Sequence, residues 1–226
     1  MDSKGTGLTL SLGLVVAFIG YILWQITIGF DTKSDDVTTI LSNSGSGSTM
    51  IQIASVLISV GLVVHLAGLI STKGTAAGNM ESLGIICIAS AIVIWVATIG
   101  YGISLAEMGE KFAAAMAGGD AASAGTIGIG AGFIQAANVA ASTMGGILVG
   151  IGWLCIGIAY RGSDAKGIIS FIPLGWLAII QGLILIVSNI IINNFVSIET
   201  ASQISGIAFL LITIWAVSRG LAISKS

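Results

Sequence analysis

The stretch Ala124–Gly162, AGTIGIGAGFIQAANVAASTMGGILVGIGWLCIGIAYRG, carries no charge before Arg161 and decides how the rest of the chain is read. A helix of roughly 38 residues is about 57 Å long at 1.5 Å per residue, against a hydrocarbon core of about 30 Å. One simple crossing therefore cannot account for it. Gly125, Gly128, Gly132, Ala136 and Ala140 recur at spacings of three and four, and Gly146 and Gly150 form a small-xxx-small pair. In water such a composition makes a poor helix. In lipid, small side chains let neighbouring backbones approach, and close contact replaces the hydrophobic drive that lipid removes. Gly128, Gly132, Gly146 and Gly150 are thus expected to be helix-packing positions.

The same chemistry runs through the whole chain. Of 226 residues, 55% are hydrophobic and 8% charged, where an ordinary soluble domain carries about 25% charged residues. The expected class is an all-α, polytopic integral membrane protein. A single proline and 32 glycines suit membrane helices better than a loop-rich soluble fold. A net charge of −2 with scattered basic residues excludes nucleic acid as a partner. Membrane lipid and other membrane subunits, or further copies of the chain, are the expected partners.

Working outward, the hydropathy pattern predicts six spans in one transmembrane helical domain, 1–226. They cover about 7–30, 50–71, 83–106, 124–161 (long or broken), 167–192 and 201–222. The first apolar run is longer than a signal-peptide core and lacks an A-x-A site, so it is read as a retained span. A polar loop is expected at 31–49, a short link at 72–81, and an alanine-rich interfacial connector at 109–123. Pro173 is tolerated in the first turns of the fifth span.

Charge decides whether 124–140 is an additional crossing. With six spans, Lys4, Lys73, Arg161, Lys166, Arg219 and Lys225 share one side, and Lys33 and Lys111 the other. A seventh span would divide the basic residues equally. The positive-inside rule favours six spans with both termini cytoplasmic, in a multi-pass cell-membrane protein. Residues 124–140 then extend the fourth helix outward or form a half-helix.

Ile94, Trp95, Gly100, Ile103 and Ser104 match Ile214, Trp215, Gly220, Ile223 and Ser224 at an offset of 120. Two three-helix halves related in this way would be inverted in the membrane, an arrangement that transporters use to build sites near the midplane.

Little in the sequence points to chemistry. His65 is the sole histidine, which excludes a bis-histidine haem within one chain, and neither a zinc nor a di-iron ligand pattern occurs. There is no G-x-S-x-G elbow, no Walker loop and no intramembrane lysine for a Schiff base. Asp31, Lys33, Asp35 and Asp36 lack the glycine and closing glutamate of a calcium loop. Neither an enzyme nor a cofactor is expected. Cys87 and Cys155 lie in apolar runs as free thiols.

The remaining signals are intramembrane polar groups. His65 lies inside the second span, where it can lock helices together or handle a ligand. Gln135, Asn138 and Asn189 map to the outer half, with Gln181 nearer the middle of its span. Unpaired amides are costly in hydrocarbon and should point into the bundle. His65, Gln135, Asn138, Gln181 and Asn189 are therefore the candidate polar site. Two functions remain: an accessory or scaffold subunit of a membrane complex or homo-oligomer, and a transporter or channel for a small neutral solute.

Overall fold

Long apolar runs interrupted by few charges and one proline leave the backbone with one way to satisfy its polar groups in lipid, which is to bond within helices. The computed structural model describes residues 2–74 and 78–225, most of them in helices. The helices are α1 (Ser3–Ile28), α2 (Val37–Ser46), α3 (Ser48–Ser71), α4 (Asn79–Ala117), α5 (Ala121–Tyr160) and α6 (Leu174–Val187). A π-helical turn, Ser188–Ile192, continues α6 into the short α7 (Asn193–Phe195), and α8 (Ile198–Ser224) closes the chain. Among the described residues, six helices are long and apolar enough to cross a membrane: α1, α3, α4, α5, Leu174–Phe195 and α8.

Several boundaries differ from those expected. The loop at 31–49 contains α2, whose start is capped by Asp36: its carboxylate accepts from the Thr39 N–H at 3.0 Å and the Thr39 hydroxyl at 2.7 Å. The connector at 109–123 is not separate, since α4 runs on to Ala117 and the chain reverses over Gly118–Asp120. Gly119 makes this reversal at φ +73°, a backbone conformation that glycine adopts at little cost. A second Asp cap, Asp120 on Ser123, starts α5, which then runs unbroken for 40 residues. The choice at 124–140 thus falls to a continuous helix. The fifth span begins at Leu174, not 167, because Pro173 stands at the N-cap, and a residue preceding proline is disfavoured in helical geometry. Residues 75–77 of the expected link lie outside the described residues.

Contacts divide the chain into two compact units, and α1, α3, α4 and α5 contribute segments to both. The first unit, residues 1–18, 60–93 and 143–226, is built on glycine contacts. A Cβ on Gly61 would lie 2.5 Å from the Gly13 carbonyl, joining α1 to α3. One on Gly84 would lie 2.8 Å from the Gly152 carbonyl, joining α4 to α5. One on Gly150 would lie 3.0 Å from the Gly182 carbonyl, joining α5 to α6. Helix α8 is held to α6 by the Trp215 indole N–H, which donates to the Leu174 carbonyl at 3.0 Å. The second unit, residues 19–59 and 94–142, has a small core of Ile40, Leu41, Leu105 and Ala131, flanked by Val37, Met108, Phe112, Ile127 and Ile134. Here α2 lies against α4, with Gly45 close to the Glu110 N–H, and the Asn43 amide donates to the Ile28 carbonyl at 2.7 Å.

Candidate functional site

In the first unit, His65 is buried on α3, and its Nδ1 lies 2.8 Å from the Leu10 carbonyl, the bond that orients the ring. Gly13 opens the space for this approach, because its missing Cβ would meet the His65 backbone. The imidazole centroid is 6.5 Å from that of Trp153, which in turn packs edge-on against Trp215 at 4.8 Å. Both tryptophans are buried. The second ring nitrogen, Nε2, is buried and has no hydrogen-bond partner among the described residues.

Gln181 is fully buried on α6, and neither its amide oxygen nor its nitrogen finds a partner among the described residues. The Ser188 hydroxyl, seven residues further along where the π turn begins, is in the same position. Buried amides and hydroxyls are hydrogen-bonded in the large majority of cases, so these are unusual groups. Asn189 is different: its amide donates to the Leu185 carbonyl at 2.8 Å and fills the space beside Gly146.

Gln135 and Asn138 belong to the second unit. The Gln135 amide donates to the Ser34 carbonyl at 3.2 Å, and Asn138 donates to the Gln135 oxygen at 3.4 Å. They tie α5 to the segment preceding α2. The five polar residues therefore do not form one hydrogen-bonded group: Gln135 and Asn138 bond each other, while no hydrogen bond joins His65, Gln181 and Asn189.

The four glycines also separate. Gly146 and Gly150 are in close contact with α6 or its π turn. Nothing lies within 4 Å of a Cβ on Gly128, and on Gly132 the nearest atom is a Val37 methyl at 4.0 Å. Small-residue spacing permits close approach without specifying which stretch receives a neighbour.

One buried polar cluster was not singled out from the sequence. Glu81, in the first turn of α4, is buried; its carboxylate accepts from the Tyr160 hydroxyl at 2.6 Å and the Gly74 N–H at 2.6 Å. The Arg219 guanidinium lies 5.3 Å from the Tyr160 ring centroid. These groups fasten the ends of α3, α4, α5 and α8 to one another. The available signal was a lone carboxylate at the head of an apolar helix, but its partner is 79 positions away. Cys155 is buried and Cys87 only half-buried, both as free thiols. Among the described residues, no group of three or more His, Cys, Asp or Glu side chains is placed to hold a metal ion.

Comparison with protein-family models, with curated proteins and with solved structures returns no match. The functional reading rests on the residues themselves.

Proposed function

We propose that the chain is a non-enzymatic multi-pass membrane protein that acts by packing against other protein, as an accessory or scaffold subunit of a complex or as a homo-oligomer, with both termini cytoplasmic. The observation that carries this reading is the uncovered side of α5 over residues 121–140. On one side, Ala124, Ile127, Ala131 and Ile134 face inward, several of them onto the core that α2 completes. Roughly opposite, at 100° per residue, Thr126, Ile129, Phe133, Ala136, Ala137 and Ala140 are exposed, with Ile129 at 68% and Phe133 at 75%.

Lipid does not account for that face. A 40-residue helix is about 60 Å long, and about 20 residues cross the hydrocarbon. Arg161 marks one interface, which assigns 141–160 to the crossing and leaves 121–140 beyond it. Large apolar groups exposed outside hydrocarbon mark a protein contact. The basic residues at the terminal ends support the cytoplasmic assignment. The test is particle size in mild detergent. A wild-type particle larger than one chain, reduced to a monomer of unchanged thermal stability by Ile129→Glu/Phe133→Glu, is the expected result. A wild-type monomer with nothing bound would overturn it.

A second reading, passage of a small neutral solute, is supported by Gln181, Ser188 and the His65 Nε2, buried polar groups without a partner among the described residues. Urea and glycerol flux into proteoliposomes, no faster for wild type than for Gln181→Leu/Ser188→Ala, would dismiss it.

A further inference from the structure

Residues 161–173 join α5 to α6 without regular helix, yet they are tightly held. The Leu174 N–H donates to the Ala165 carbonyl at 2.8 Å, and Lys166 and Pro173 pair as a single antiparallel bridge. The Ile168 N–H donates to the Ser218 hydroxyl at 3.0 Å, and Gly167 lies against Ser218, which fastens the loop to α8. This loop displays apolar groups outward: Ile168 is 62% exposed and Phe171 80%, with Trp176 also exposed on the first turn of α6. Arg161 and Lys166 are exposed beside them, and Asp164 is the one exposed acid in the loop. Both ends of the loop, Tyr160 and Leu174, are ends of helices long and apolar enough to cross a membrane, and a loop so placed meets the headgroups if those helices cross.

From this combination we infer that 161–173 is an interfacial anchor: Ile168, Phe171 and Trp176 seat at the boundary of headgroups and acyl chains, and Arg161 and Lys166 select anionic phospholipid there. The apolar residues gain what water denies them. An aromatic at this depth has the amphipathic surroundings that enrich Trp and Tyr at interfaces. With Asp164 offsetting one base, the loop keeps about one uncompensated positive charge, which corresponds to about fivefold enrichment of an anionic lipid. The loop differs from the exposed face of α5 in both respects, since it lies between two crossings and is charged.

The test uses the full chain with photoreactive benzoylphenylalanine in place of Phe171 or, separately, Ile168, both exposed enough to leave folding intact. The nanodiscs contain equal amounts of phosphatidylcholine and phosphatidylglycerol, and adducts are read by mass. Lipid adducts are expected at both positions, with phosphatidylglycerol favoured about fivefold. In Arg161→Gln/Lys166→Gln that preference should fall towards one while the total lipid adduct stays constant. A label that captures no lipid or captures protein, a wild type without headgroup preference, or a preference that survives the double substitution undiminished would each overturn the assignment.

Discussion

The two halves of α5 are built from the same small alphabet and meet opposite fates. Over 146–157, Gly146, Gly150, Gly152 and Gly157 lie against Asn189, Gly182, Ile88 and Ile179, and Val149, Trp153 and Ile156 are buried. Over 121–140, Gly125 and Gly128 have nothing within 4 Å of a Cβ, and Ile129 and Phe133 stand exposed. Glycine spacing is necessary for backbone contact and does not bring it about. What differs is how many sides are covered: residues 146–157 are packed between α4 and α6, whereas 121–140 meets α2 and α4 over one side only.

The sharpest way to break the comparison is to enlarge a glycine in each half. Gly150→Leu would press on the Gly182 carbonyl and Ile186, and should cost about 1 to 3 kcal/mol or more of stability, as overpacking does. Gly132→Leu, with only the Val37 methyl near it, should stay within about 0.5 kcal/mol. Thermal unfolding in one detergent reads both. Equal losses would mean that the outer half is packed as tightly as the inner.

A smaller effect is expected at Gln181. Its amide is buried without a partner among the described residues, so Gln181→Leu removes an unsatisfied group at little loss of volume and should be neutral or stabilising by about 1 kcal/mol. A clear loss of melting temperature would show that the amide is bonded in the membrane.

The smallest effect concerns the caps of the second unit. The Thr39 hydroxyl and N–H hold the Asp36 carboxyl below its usual range, and the Ser123 hydroxyl and N–H do the same for Asp120. A carboxyl depressed on folding stabilises above its unfolded pKa, about 3.9, and that contribution is lost as pH falls through the folded value. Hydrogen-exchange protection at the first turns of α2 and α5, taken relative to the intrinsic exchange rate at each pH, should therefore fall below about pH 4. Asp36→Asn and Asp120→Asn should remove this pH dependence at their own helix.

How much of this was legible in the sequence follows from the physics of each feature. The six long apolar helices were, because hydrocarbon imposes a length and forbids charge, and both constraints act locally. Helix α2 was not: VTTILSNSGS is too polar and short to announce itself, and it holds only because Ile40 and Leu41 find Leu105 and Ala131 some sixty to ninety positions away. Gly128, Gly132, Gly146 and Gly150 were read alike from their spacing, yet a Cβ would press on α6 or its π turn at Gly146 and Gly150 and would meet nothing nearer than the Val37 methyl at Gly128 and Gly132. Polar residues inside spans were visible one at a time; that Gln135 pairs with Asn138, that Gln181 finds no partner among the described residues and that Glu81 meets Tyr160 are facts of tertiary packing.

The most direct test asks what touches the outer half of α5 in the native membrane. Photoreactive benzoylphenylalanine at Phe133, irradiated before any detergent is added, should yield a protein adduct at the mass of two copies of the chain or of the chain plus one partner. The same label at Phe171 should yield lipid. Lipid adducts alone at Phe133 would contradict the claim that this face receives protein, and would place residues 121–140 in hydrocarbon with the rest of the helix.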